Sequence, residues 1–288
     1  MKIGIIGGGS IGLLLSSFLS KYHEVHLYVR RQEQKHKINH EGILLNQNQM
    51  ISSVKAFLLE EMMEEDLLIV CVKSNQLKDV LPQLKQKNEH TPLLFLQNGM
   101  GHIHLLDEWG TQVFLGVVEH GALRQKENHV IHTGLGAIKI AAYPKENQLL
   151  YQLVNSLHQS DFPVYANIDW KELLQSKLII NAVINPLTAI FEVKNGELLT
   201  NDYLRKMAYT LCVESTKLLK MNKEEQWKRI QKIAYATADN TSSMLVDIQS
   251  NRSTEIESIT GYLLTIEAME KPLTQFVYHA VKAKEMKG

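Results

Sequence analysis

The sequence predicts two domains of different class, an α/β domain on a mostly parallel sheet followed by an all-α domain. Three observations carry this. Through the first half, short β-branched runs alternate with helical stretches, the pattern of successive βαβ units. From about Asp169 the texture changes to long helical periodicity rich in Leu, Ile, Lys and Glu, with glycine only at Gly196, Gly261 and Gly288. A length of 288 residues suits about two domains and can bury a sizeable core. The change of texture near Ala166 to Ile168 has no Pro- or Ser-rich linker. It divides the chain into residues 1–167 and 168–288 and predicts two domains packed around a cleft.

Taken in order, the candidate strands are Lys2 to Ile6, Glu24 to Val29, Asp66 to Val72, Pro92 to Leu96 and Val113 to Val118, each bounded by glycine or polar residues. Strand-like runs follow around His129 to Thr133, Ala137 to Ala142 and Phe162 to Tyr165. A helical run, Leu13 to Lys21, comes directly after the first strand and its glycine loop.

Composition excludes several classes. With 44% hydrophobic and 22% charged residues, disordered, collagen-like and coiled-coil chains are ruled out. Lys plus Arg and Asp plus Glu both count 31, and zero net charge argues against a general nucleic-acid or membrane-surface binder. Cys71 and Cys212 are too few for a disulfide framework and too far apart for a zinc module, which reads as a reduced, cytoplasmic protein. The N-terminus lacks the pattern of a signal peptide and no apolar run reaches about 18 residues, so a soluble, unexported protein is expected.

Gly7-Gly8-Gly9-Ser10-Ile11-Gly12 is GxGxxG between a strand and a helix, the context dinucleotide binding requires. Gly7 permits the tight turn, Gly9 lets the backbone approach a pyrophosphate, and Gly12 lets helix and strand pack closely. The helix N-terminus offers its N–H groups to phosphate. The first domain is therefore expected to be of Rossmann type. The second strand ends in Arg30-Arg31 where NAD-binding proteins carry an acidic residue, and two guanidinium groups there suit the 2′-phosphate of NADPH. The alternative is a solvated basic loop.

In the second half, Lys177, Asn181 and Asn185 fall at i, i+4 and i+8 on an otherwise apolar helix, a narrow polar stripe on one face. Such a stripe needs a polar partner or a ligand, and Pro186 is expected to break the helix locally. Lys177 reads either as an interdomain salt bridge or as a group that polarises a ketone and protonates the alkoxide as hydride arrives.

These residues closely resemble those of the ketopantoate reductase family, the NADPH-dependent 2-dehydropantoate 2-reductases that make (R)-pantoate for pantothenate and coenzyme A. The resemblance rests on GGGSIG, Val72-Lys73 with Gln76, Gln97 to Gly101 and His120-Gly121-Ala122 in the first half. In the second it rests on Lys177 with Asn181 and Asn185, INPLTA (Ile184 to Ala189), NGEL (Asn195 to Leu198), NTSSMLVDI (Asn240 to Ile248), Arg252, Thr254 and Glu255. It spans about Met1 to Leu264. It implies a second domain like the C-terminal domain of 6-phosphogluconate dehydrogenase, with Lys177 as general acid. Asn181, Asn185, Asn195 and Asn240, Thr241, Ser242 and Ser243 would bind substrate, Ser243 at its carboxylate. Glu255 would be the acidic partner near both cofactor and substrate, with Lys73, Gln76, Asn98 and Ala122 on the NADPH side. No metal is implied. The implied partner is a small-molecule substrate, with no nucleic acid and no membrane, for a monomer or homodimer. The family's loop before Pro272 is longer than Ile266 to Lys271 here.

The readings left open are a reductase of the same architecture for another 2-keto or β-hydroxy acid, and a non-catalytic NADPH sensor. Asp247 with Arg252 reads as an ion pair or cap, Cys71 as a buried strand residue, and His120 as either a cofactor-end or a packed strand-end histidine. His102 with His104 reads as loop polarity rather than a metal site. The run Lys223 to Arg229 reads as a solvated helix face.

Overall fold

The structure is a computed structural model and describes residues 1–47, 49–51, 53–87, 90–107, 109, 112–267 and 270–286. Ala268 and Met269, in the shortened loop before Pro272, lie outside the described residues. The chain forms two compact units, Met1–Gln97 with His104–Leu173, and Asn98–Ile103 with Leu174–Gly288.

The first unit alternates strand and helix. Its elements are β1 (Lys2–Ile6), α1 (Ser10–Leu19), β2 (Glu24–Val29), α2 (Gln32–Glu41), β3 (Ile43–Leu45), β4 (Gln49–Ile51), β5 (Lys55–Leu58), β6 (Leu67–Val70), α3 (Leu77–Lys87) and β7 (Leu93–Phe95). There follow β8 (Val113–Val118), β9 (Gly121–Lys126), β10 (His129–Gly134), β11 (Ile138–Tyr143), α4 (Leu149–Leu157) and β12 (Val164–Ala166). Eight strands form one sheet in the order β12-β11-β8-β7-β6-β1-β2-β5, parallel except where β11 meets β8.

From β1 the chain goes outward to β2 and later returns to β6 on the other side of β1, so the order reverses at the β1/β6 junction. In open α/β sheets that junction, at the carboxyl ends of the strands, is where ligands bind. Central strands of such a sheet are covered on both faces, which is why they read as unbroken apolar runs. Leu67 to Val70 of β6 and Ile3, Ile5 and Ile6 of β1 are all buried. A second, four-stranded sheet runs β4-β3-β10-β9. Among the described residues, β3, β4, β5 and β9 are additions to the strands expected from sequence. Cys71 lies just past β6, half-buried, and burial pushes its thiol above the ordinary range.

The second unit is helical: α5 (Trp170–Phe191, beginning in the first unit), α6 (Glu197–Thr200), α7 (Asp202–Leu219), α8 (Lys223–Ala236), α9 (Ser243–Gln249), α10 (Tyr262–Thr265) and α11 (Pro272–Glu285), with a π-helical turn at Glu257–Gly261. Helix α5 is long and apolar enough to cross a membrane by length and composition alone, yet 83% of its apolar window is buried within the protein. It continues through Pro186 rather than breaking there. Its proline lacks only one donor, and the helix is otherwise held by an apolar surround from Leu178 to Ala189. Side-chain caps set the starts of α7, α8 and α9: Asn201, Asn222 and Ser242 each accept backbone N–H groups of the first turn. The pair Asp247–Arg252 is present at 3.0 Å.

Candidate functional site

In the first unit β1 feeds directly into the glycine loop. Gly7 sits at φ +110°, in the region that favours glycine, and donates its N–H to the Tyr28 carbonyl at 2.8 Å. A Cβ on Gly12 would fall on the Gly7 carbonyl oxygen, so only glycine lets α1 start this close to the loop. At Gly9 the opposite holds: a Cβ there would meet no atom within 4 Å. Gly9 is also the N-cap of α1 and has no side chain to occupy the first N–H groups of the helix. An open backbone surface at the amino end of a helix fits a dinucleotide pyrophosphate.

Around this loop stand residues that sequence reasoning did not single out. Gln34 donates Nε2 to the Gly8 carbonyl at 2.8 Å, Arg124 donates Nη1 to the same oxygen at 3.3 Å, and the Arg124 N–H reaches Ser10 Oγ at 3.1 Å. They lie on α2 and β9, far from the loop in sequence, and no local pattern announces them. Ile11, on the first turn of α1, packs against the core. Arg30 is exposed, while Arg31 pairs with Glu127, which raises its pKa further.

Lys73 and Gln76 follow the end of β6 and are partly buried. Their turn is fixed by Gln97, whose Nε2 donates to the carbonyls of Val70 at 2.9 Å and Val72 at 3.0 Å. Ala122 lies on β9, against the core. His120 is a packed strand-end histidine, its ring stacked on Phe162 at 4.2 Å.

In the second unit, α5 carries Lys177, Asn181 and Asn185 on successive turns. The two asparagines are buried and Lys177 is partly so. Asn98, just past β7 in sequence, donates Nδ2 to Glu255 Oε2 at 2.8 Å and accepts from Asn181 Nδ2 at 3.4 Å. The backbone behind it is locked: Gly99 takes φ +81°, a Cβ there would collide with the Ser258 carbonyl, and Met100 donates its N–H to that carbonyl at 2.9 Å.

Asn195 and Asn240 also meet, through a backbone hydrogen bond of 3.1 Å, and Asn195 donates Nδ2 to Thr237 Oγ1 at 3.0 Å. The Asn195 Oδ1 is buried and has no partner among the described residues. Ser242 is buried, caps α9 and accepts from the Thr188 hydroxyl at 2.7 Å, so its hydroxyl is engaged within the fold. Thr241 and Ser243 are exposed.

The same two-part plan emerges from comparison with known proteins. Residues 3–145 match the family model of ketopantoate reductase PanE/ApbA, and residues 169–285 that of ketopantoate reductase PanE/ApbA C terminal. The chain is 44% identical to the 2-dehydropantoate 2-reductase of Bacillus subtilis (strain 168), covering 99% of this chain and 98% of that protein. The chain belongs to the ketopantoate reductase family.

The Listeria monocytogenes 2-dehydropantoate 2-reductase is 36% identical, covering 99% of this chain and 97% of its own. Among solved structures, the probable 2-dehydropantoate 2-reductase panE from Bacillus subtilis superposes with a TM-score of 0.88 at 43% identity, over 99% of this chain and 100% of that one. D-mandelate dehydrogenase with NADH superposes with a TM-score of 0.91 at 23% identity over 100% and 99%, a likeness of fold alone. As a ketopantoate reductase family member, the chain is an oxidoreductase that works with a nicotinamide cofactor, and both the expected family and the expected fold class hold.

Proposed function

We propose that this chain reduces 2-dehydropantoate to (R)-pantoate with NADPH, feeding pantothenate and coenzyme A synthesis in the cytoplasm. Residues 1–167 would serve as the NADP-binding domain and 168–288 as the substrate-binding and catalytic domain. The observation that supports it best is the chain of hydrogen bonds from Glu255 through Asn98 to Asn181, which stands one helical turn from Lys177. A ketone must be gripped at its oxygen and fixed in orientation, and a buried amide stripe beside a lysine supplies both.

The cofactor would rest on Gly7 to Gly12, with its pyrophosphate over Gly9 and its 2′-phosphate at Arg30 and Arg31. Lys73, Gln76, Asn98 and Ala122 would line its other end, with Glu255 close by. When bound, the nicotinamide supplies the hydride that reduces the ketone carbon. Lys177 holds the ketone oxygen through its ammonium and gives that oxygen a proton as negative charge develops on it. Asn181 and Asn185 keep the substrate aligned along α5, while Asn195 and Asn240 take its hydroxyl end. Thr241 and Ser243 present hydroxyl groups at the start of α9 to the substrate carboxylate, and Ser242 shapes that turn as its cap. No metal and no macromolecular partner enters this reading.

The deciding experiment is NADPH consumption by the purified chain with a panel of 2-keto acids, alongside Lys177→Ala. Turnover should be best with 2-dehydropantoate and should fall by about 10²–10⁴-fold in the variant, the scale expected when a general acid is lost. Preference for another keto acid would overturn the substrate, and near-normal turnover by the variant would overturn the role of Lys177.

A further inference from the structure

One of the two guanidinium groups expected to hold the cofactor's 2′-phosphate already has an anion on it. Arg31, the residue that opens α2, pairs with the carboxylate of Glu127, in the turn between β9 and β10. The same carboxylate oxygen lies 3.8 Å from Arg124 Nη1, so one negative charge stands between two guanidinium groups beside the glycine loop.

Its position is built into the fold. Gln34, itself buried, donates Nε2 both to the Glu127 carbonyl at 2.7 Å and to the Gly8 carbonyl at 2.8 Å, tying the turn to the loop. On the other side, buried Asn128 donates Nδ2 to the Gly42 carbonyl at 2.8 Å. The turn is thus pinned at both of its central residues, and Glu127 is delivered to Arg31 by backbone placement.

We propose that Glu127 is a specificity-determining residue that acts against the 2′-phosphate, an internal anion on the donors which that phosphate would use. The proposal rests on the reading that Arg31 receives the 2′-phosphate. Carboxylate and phosphate seek the same planar N–H pairs of a guanidinium, so one must yield or share. A phosphate monoester also carries close to two negative charges at neutral pH, and a carboxylate fixed beside it repels it. Competition and repulsion have the same sign. Both weaken NADPH more than NADH, so Glu127 narrows the preference between the two cofactors and lightens the hold on the phosphorylated one.

The test compares binding of 2′,5′-ADP and of ADP to the full chain by titration calorimetry, in wild type, Glu127→Gln, Glu127→Ala and Arg31→Ala. Removing the charge should tighten 2′,5′-ADP by about threefold to fivefold, the range of a partly exposed ion pair, and leave ADP within about twofold. Raised salt should shrink the gain. Unchanged or weaker 2′,5′-ADP binding in both Glu127 variants, with Arg31→Ala clearly weakened, overturns the proposal alone. If Arg31→Ala binds 2′,5′-ADP as tightly as wild type, the phosphate is not at Arg31, and that reading and this proposal fall together.

Discussion

Asn98 donates its side-chain amide to the Glu255 carboxylate at 2.8 Å across 157 positions of sequence. Both ends are fixed by backbone, Asn98 by the Gly99 turn on Ser258 and Glu255 by the π-helical turn whose Ile259 N–H it accepts at 3.1 Å. The amide of Asn98 is thereby oriented, its oxygen left to accept from Asn181. Glu255→Gln keeps the volume but removes the charge that sets this polarity. It should lower kcat/KM for 2-dehydropantoate by about 10²-fold, the scale of a lost positioning or acid–base partner, with little change in melting temperature. Steady-state kinetics at saturating NADPH check it, and a loss under about threefold would remove Glu255 from the reaction.

Gly9 and Gly12 make opposite predictions. A methyl group at Gly9 meets no protein atom within 4 Å, whereas one at Gly12 meets the Gly7 carbonyl. Gly9→Ala should cost no more than about 1 kcal/mol in urea stability, from the poorer N-cap residue, yet weaken NADPH by at least about tenfold, because the backbone can no longer approach the pyrophosphate. Gly12→Ala should lose both, with a stability cost of about 1–3 kcal/mol from overpacking. Fluorescence titration with NADPH and urea unfolding separate the two cases, and equal stability losses would contradict the geometry.

What sequence could carry was whatever is local. Strand, GGGSIG and helix are consecutive, so the loop and its helix are readable, as are the i, i+4 stripe of Lys177, Asn181 and Asn185 and the nearby pair Asp247–Arg252. Strands β3 and β4 have three residues each, too short for an alternation of period two to register. In GALRQK of β9 no residue is buried, and its pairing with β10 is what makes it a strand. Asn98 reads as a strand-end residue, but its contacts group it with the helical unit, through partners more than 80 positions away. The engagement of Arg31 by Glu127 is likewise a long-range fact that no spacing rule contains.

The last described helix is anchored by one buried carboxylate. Glu214 of α7 accepts from Thr274 N at 2.8 Å, Thr274 Oγ1 at 2.6 Å and Leu273 N at 3.2 Å, occupying the first-turn donors of α11. A negative charge there also meets the positive end of the helix. Glu214→Ala would leave those donors buried without a partner, at a cost of about 2–3 kcal/mol in urea unfolding. A cost under about 0.5 kcal/mol would mean that α11 is held by its apolar face alone, through Val277 and Val281.

His120 gives the fold an acid limit. Burial, then the charge of neighbouring His132, depress its pKa to about 4, and Glu119 opposes them only in part. The Nδ1 of His120 accepts the Gly136 N–H at 3.2 Å, which requires the neutral ring, and that ring stacks on Phe162. In the unfolded chain the same imidazole titrates near 6.5. Between these values the unfolded state binds a proton that the folded state refuses, so stability falls as pH drops from about 6.5 towards 4. The contribution lost by pH 5 is about 2 kcal/mol, with His132, also depressed by burial, adding in the same direction. Gln at position 120 retains a hydrogen-bond acceptor but cannot titrate. His120→Gln should therefore be somewhat less stable than wild type at pH 7 and lose less on going to pH 5. Urea unfolding of both proteins at the two pH values measures this, and an equal drop in the two would assign the acid sensitivity to other groups.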